Sequence, residues 1–324
     1  MATVFLNGEF VGSDTARVSA FDAGFQHGVG LFETMLATVH DGTTAVLHLD
    51  EHLSRLAASS RALSLTQTLR TGALAEAVRR VAERGAADHP STPRLRVRLT
   101  LTGGDLNLLN TARGEPVEAS PTLLITAQPA ADYPAEMFAR GINVTIADWK
   151  ANPLDPHQGH KTLNYWPRLR ELQTAAGKRG AEALVFQVTN HLCGGCVSNA
   201  FIIKHGVMLT PTARGEEDQI AQEADAAAAT GNRYDPPTKG AVMPSPVLPG
   251  IVRRWVMDWA VENGMEVRRR LITISDVLDA DEVILTNSGW GVLPVAAVEA
   301  RPIGSGQPGP IARRLINEWN ELTW

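Results

Sequence analysis

The sequence predicts a protein of mixed α/β (α+β) class in two domains, and three observations lead there. The chain has 324 residues, too many for one small core and suited to two domains or one large α/β domain. Stretches with helical spacing alternate with strand-like runs along its length. A Pro- and Ala-containing stretch at 127–134 reads as a linker, giving a smaller N-terminal domain over 1–130 and a larger C-terminal one over 131–324.

Composition narrows the class of function. Hydrophobic residues are 44% and charged residues 20%, so the chain buries a proper core. The net charge of -5 is mild and unclustered, which argues against a nucleic-acid groove or a polybasic membrane patch. No apolar run reaches the roughly 20 residues that span a bilayer. The start, Met1-Ala2-Thr3-Val4-Phe5-Leu6, lacks the basic opening and long apolar stretch of a signal peptide, so a cytoplasmic enzyme is expected.

The elements follow in order. Residues 4–6 and 10–11 flank Asn7-Gly8 and read as a hairpin. Residues 24–36 pass from a glycine-punctuated loop into a strand; the glycines suit either a phosphate cradle or a bend beside a strand. Residues 47–64 read as a helix with Asp50 as N-cap, and Arg55 either snorkels to the surface or turns inward toward an anion. A second helix is expected over 69–84 with Gly85 as its stop. Arg94–Thr102 alternates cleanly, placing three arginines and two threonines on one face. Strands are expected at 122–126 and 141–149, and an irregular loop at 152–158 delivers Lys161. A helix over 166–176 and a strand over 183–188 lead into a glycine-rich turn. Residues 212–247 lack apolar periodicity and read as an insertion or flap with at most one helix, at 217–230. Leu248-Pro249-Gly250-Ile251-Val252 opens an amphipathic helix whose N-terminus is a ready anion site. Strands at 282–286 and 292–295 enclose Asn287-Ser288-Gly289-Trp290-Gly291, and a helix over 310–322 ends the chain.

Cys193-Gly194-Gly195-Cys196 is a C-x-x-C. A structural zinc would need two further ligands, and no second pair exists, so no metal is expected. Small buried turn residues are the leading reading, with a redox or disulfide role beside it.

Six blocks carry a resemblance: residues 24–34, 50–56, Lys161-Thr162-Leu163-Asn164-Tyr165, Val197-Ser198-Asn199-Ala200-Phe201, 248–253 and 286–295. Together and in this order they resemble the class IV (fold-type IV) pyridoxal-phosphate aminotransferases, a family that includes branched-chain aminotransferases and 4-amino-4-deoxychorismate lyase. The resemblance covers nearly the whole chain. It implies a D-amino acid aminotransferase-like fold, pyridoxal 5'-phosphate at the domain interface, and a homodimer. By position, Lys161 matches the lysine that holds the cofactor as a Schiff base and shuttles the α-proton. Arg55 matches a phosphate-binding arginine, and Ile251 and Val252 the backbone N–H donors to that phosphate. Val252 replaces the family's usual threonine, so that hydroxyl contact is lost. Ser288, with Asn287 beside it, matches a further phosphate contact, and Tyr165 the tyrosine near the cofactor's phenolic oxygen. Phe32, Arg98, Gly289 and Trp290 are the candidate substrate-binding residues.

Two departures qualify the resemblance. Gly194 stands where the family has the glutamate that pairs with the protonated pyridine nitrogen. Gly103 stands where D-amino acid aminotransferases place an arginine, which disfavours that activity. The expected function is therefore transfer of an amino group between an amino acid or amine and a keto acid. A 4-amino-4-deoxychorismate lyase-like elimination is the alternative, favoured by Phe25-Gln26-His27-Gly28 and by Thr286-Asn287-Ser288. A weakly active cofactor-binding relative is the third reading.

Overall fold

The computed structural model describes residues 3–105, 121–220 and 243–323. The chain divides into two compact units: Met1–Asp132 with His160–Tyr165 and Glu321–Trp324, and Tyr133–Gly159 with Trp166–Asn320.

Unit one is built on an antiparallel sheet. Strands β1 (Thr3–Leu6) and β2 (Glu9–Gly12) form the expected hairpin, and Asn7 and Gly8 make its turn at φ of 50° and 101°, as a tight two-residue connection requires. Helix α1 (Ala23–His27) and strands β3 (Gly30–His40) and β4 (Thr43–Val46) follow. Asp22 caps α1 by accepting from the N–H groups of Gly24 and Phe25, so the backbone donors of this glycine-punctuated turn go to a carboxylate rather than to a phosphate. Next come α2 (Leu49–Ala62), α3 (Thr71–Asp88), β5 (Arg94–Thr102) and β6 (Leu123–Pro129). The sheet order is β2-β1-β6-β5-β3-β4 among the described residues.

The alternation read in β5 is realised. Leu95, Val97, Leu99 and Leu101 are buried in one cluster with Leu53 and Leu56 of α2 and Val78 and Val81 of α3, which leaves the arginines on the other face. Three local expectations are corrected. His48, not Asp50, precedes α2 as its cap; Asp50 lies in the first turn, where its charge complements the helix dipole. Gly85 does not stop α3, which continues to Asp88; a Cβ at Gly85 would lie 2.6 Å from the Ala127 Cβ, so glycine there permits close packing of the helix on β6. Residues 127–129 open no linker, because they pair with β5 at Val97↔Ala127, Arg96↔Gln128 and Leu95↔Pro129.

Unit two contains α4 (Ala135–Arg140), β7 (Ile142–Ala151), α5 (Trp166–Gly177), β8 (Glu182–Gln187), β9 (Leu192–Gly195), β10 (Asn199–Lys204) and β11 (Val207–Thr210). Helix α6 (Ile251–Glu262), β12 (Val267–Arg269), α7 (Ile274–Leu278), β13 (Glu282–Asn287), β14 (Gly291–Val298), β15 (Arg301–Pro302) and α8 (Pro310–Thr323), as far as Asn320, complete it. Its mixed sheet runs β12-β11-β10-β13-β14-β7-β8-β9, with β15 on β14. Strand β8 is buried along its whole length, and β7 and β8 are parallel across the α5 crossover. Gly194 and Gly195 belong to β9, so the turn expected there starts two residues later.

At the base of the 212–247 insertion, Arg253 is fully buried and satisfied by Thr210, the Pro211 carbonyl and both oxygens of Glu216. Glu217 accepts from the Ser245 N–H at 2.6 Å. The centre of that insertion and most of the helix expected over 217–230 fall at 221–242, outside the described residues. Among the described residues no helix is long and apolar enough to cross a membrane.

Candidate active site

In unit one the Lys161 segment is held by backbone pairing. The Phe32 N–H donates to the Lys161 carbonyl at 2.9 Å and the Leu163 N–H to the Gly30 carbonyl at 3.0 Å, with Leu31 bridged to Thr162. Gly30 makes this approach possible, since a Cβ there would meet Leu163 Cδ1 and the Leu101 carbonyl, each at 2.7 Å. Next along the chain, His160 Nδ1 lies 3.0 Å from Ser59 Oγ of α2.

The amine so positioned stands among aromatic and cationic groups. Lys161 Nζ donates to the Tyr165 hydroxyl at 3.3 Å and sits 4.4 Å from the Phe32 ring centroid. Phe32 and Tyr165 meet edge to face at 5.0 Å. Arg98 reaches the same ring from β5, with its guanidinium carbon 3.8 Å from the Phe32 centroid. Burial pulls Arg98 below an ordinary guanidinium, and the like charge of Arg96 adds to the fall while Tyr165 opposes it. Thus four predicted residues, Phe32, Arg98, Lys161 and Tyr165, are brought together.

Arg55 turns inward. Its Nε donates to Glu33 Oε1 at 2.9 Å and its Nη2 to Glu33 Oε2 at 2.5 Å, while His52 Nδ1 lies 2.7 Å from Glu33 Oε2. Burial raises the Glu33 carboxyl, but the Arg55 charge and the His52 contact more than reverse this and hold it at about 2. Burial lowers His52 despite its bond to Glu33, and the charges of Arg55 and Lys161 lower it further. The carboxylate only accepts, so His52 carries its proton on Nδ1.

In unit two, α6 begins at Ile251 after Gly250, which supplies no side-chain cap. A Cβ at Gly250 would fall 1.9 Å from Asn199 Oδ1, so a side chain there would displace the Asn199 amide. Asn199 fixes the approach by donating Nδ2 to the Leu248 carbonyl at 2.8 Å. The Val252 side chain is buried. Asn287 shapes the β13–β14 turn: its Oδ1 accepts from the N–H groups of Gly289 and Trp290 at 2.8 and 3.0 Å, and its Nδ2 donates to the Val197 carbonyl at 3.2 Å. Ser288 lies within this turn, and Trp290 packs edge to face on Tyr133 at 5.7 Å. Thr286, beside it, keeps a buried Oγ1 with no partner among the described residues.

Gly194 lies in β9 at φ 146°, and no acidic side chain replaces the glutamate there. The sequence reading missed Glu182, which underlies the following turn and accepts from the N–H groups of Cys196 and Val197 and from Ser198 Oγ. It also missed Glu33 and His52. Each missed acid left a signal, a lone charge within or opening an apolar strand, which must find donors when buried.

One unit thus carries an amine under an aromatic pair, and the other a glycine-started helix and a polar turn. The amino-transferase class IV family model matches residues 30–216 and 239–298, and the chain belongs to that family. The branched-chain-amino-acid aminotransferase of Escherichia coli (strain K12) is 25% identical over 96% of this chain and 90% of its own length. A crystal structure of an Escherichia coli branched-chain amino acid aminotransferase superposes with a TM-score of 0.81 at 23% identity, covering 99% of this chain and 94% of that one. The 4-amino-4-deoxychorismate lyase from Pseudomonas aeruginosa shares the fold with a TM-score of 0.72 at 22% identity, covering 98% of each chain.

The family makes this a pyridoxal-phosphate-dependent aminotransferase acting on small amino and keto acids. The residues present fit most of the cofactor. A helix start on Gly250, and in the same unit a Thr286 hydroxyl with no partner among the described residues, suit a phosphate. The Lys161 amine suits an aldehyde carbon. Gly194 alone does not fit, since it offers a ring nitrogen no acid.

Proposed function

We propose that the chain transfers the amino group of an α-amino acid with an apolar side chain, branched-chain amino acids first among them, to a keto acid. The juxtaposition of Lys161, Phe32, Tyr165 and Arg98 carries this reading. Bound pyridoxal phosphate would supply the electron sink that makes the substrate's Cα–H acidic. Lys161 is assigned the covalent attachment, and its Nζ takes the α-proton and returns it. Tyr165 orients that amine through its hydroxyl. Ile251, Val252, Asn287 and Ser288 of unit two are assigned to the phosphate. Arg98 takes the substrate carboxylate, because a half-buried guanidinium with no carboxylate partner among the described residues favours an anion. Phe32, beside Lys161, borders the side chain. The relatives' printed names, which concern branched-chain amino acids, support the substrate class. The assembly inferred is a homodimer in the cytoplasm; Phe21, Phe25 and Trp166 are large exposed side chains that a second copy would cover.

Mixing the holoenzyme with leucine, isoleucine or valine and no keto acid should convert the bound cofactor to its amine form, read by absorbance. Pyruvate release from aminodeoxychorismate without any acceptor, and no such conversion, would instead make it a lyase. Arg98→Gln should raise KM for the amino acid roughly tenfold to a hundredfold with kcat little changed, the pattern of a contact made equally in ground and transition states. An unchanged KM would remove Arg98 from the carboxylate site.

A further inference from the structure

The turn between β9 and β10 offers no free negative charge. Glu182 beneath it is fully buried, and both of its oxygens are engaged: Oε1 accepts from the N–H groups of Ala183 and Cys196, each at 3.0 Å, and Oε2 from the Val197 N–H and Ser198 Oγ, each at 3.2 Å. Gly194 cannot carry an acid in this backbone. Its φ of 146° strains any side chain, and a Cβ would lie 2.6 Å from the Ser198 carbonyl and 3.3 Å from Asn199 Cα. The two thiols do not supply a thiolate. Burial pushes Cys193 up to about 12, and burial together with the charge of Glu182 pushes Cys196 up as well.

The charged groups packed round the turn favour neutrality. From α5, Arg168 donates Nη1 to the Cys196 carbonyl at 2.9 Å, which fixes a guanidinium at the turn itself. Glu171 of the same helix accepts from the Asp148 N–H at 3.0 Å. Lys150 of β7 lies 5.1 Å from the Phe186 ring centroid and acts on Cys193 as a second positive charge. A pyridinium is favoured by a nearby anion and disfavoured by a nearby cation. Here both acids, Glu182 and Glu171, are engaged by hydrogen bonds, and a cation is fixed at the turn itself.

We propose that the β9–β10 turn is a neutral wall, so that the cofactor ring nitrogen, assigned to position 194 by the class IV resemblance, stays unprotonated in this enzyme. This rests on the functional reading above, in which the enzyme works with pyridoxal phosphate. Its consequence is a ring that withdraws electrons less strongly than a pyridinium, which leaves more of the proton transfer to the positioning of Lys161.

The test is the nitrogen chemical shift of holoenzyme loaded with pyridoxal phosphate carrying a nitrogen-15 ring label, followed from about pH 6 to about pH 9. An unprotonated pyridine shift throughout is expected, and a pyridinium shift overturns the inference. In parallel, an analogue with carbon in place of the ring nitrogen should bind within about twofold of the natural cofactor. An ion-paired nitrogen would make that analogue roughly tenfold or more weaker, because a hydrogen bond to a charged group is lost. Borohydride trapping separates the two levels. A trapped adduct on Lys161 with a pyridinium nitrogen refutes the neutral wall alone. The absence of any adduct on Lys161 overturns the functional reading and the neutral wall with it.

Discussion

Lys161→Ala is expected to yield folded protein from which borohydride traps no cofactor, with transamination lowered by about ten-thousand-fold or more. The size follows from losing two roles at once, since a positioned general base alone contributes roughly a hundred- to ten-thousand-fold. Folding should survive. The Lys161 backbone is fixed by its pairing with β3, and Nζ makes a 3.3 Å contact with the Tyr165 hydroxyl and ring contacts to Phe32 and Tyr165. Truncation removes these without stranding a buried carboxylate, so the melting midpoint should move by only a few degrees. Peptide mapping after borohydride reduction reads the result directly. An adduct that persists in the variant would place the reactive amine on another lysine and remove the basis of the site.

What the sequence revealed, and what it hid, divides along physical lines. The strands were legible where one face is buried: in β5 the alternation of Arg94, Arg96 and Arg98 with Leu95, Val97 and Leu99 could be read directly, because its period is that of the backbone. Lys161 was legible through the order of blocks around it rather than through anything local. The failures concern partners distant in sequence. Ala127 and Pro129 have the composition of a linker, yet pairing with Val97 and Leu95 makes them strand. Gly85 has the look of a helix stop, yet it is needed where α3 crosses Ala127. Arg55 could be read as an inward cation, but Glu33, its partner, lies 22 positions away on another element. His52 and Arg55, three apart on one helical face, held the clue that both turn to the same group.

Glu33→Gln is expected to destabilise unit one by about 3–5 kcal/mol, the usual cost of leaving one member of a buried ion pair without its counter-charge. Glutamine has nearly the same shape, so lost packing does not account for the effect. What changes is that the Arg55 guanidinium, in contact with a residue that is 1% exposed, keeps its burial and loses its carboxylate. The His52 Nδ1–H likewise loses a charged acceptor at 2.7 Å. The first urea or thermal transition should therefore fall, by an amount on the order of 10 °C in a melt. The pH dependence separates this from a generic defect. The folded carboxyl sits at about 2 against an ordinary 4.5, so its contribution is fully present above the unfolded value and is lost as pH falls from about 4.5 toward about 2. The stability gap between wild type and Glu33→Gln should thus be constant from neutral pH down to about 5 and then narrow in acid. A gap that stays unchanged down to about pH 3 would mean that folding does not hold the Glu33 carboxyl below its ordinary value, and that Arg55 is held by something other than its charge.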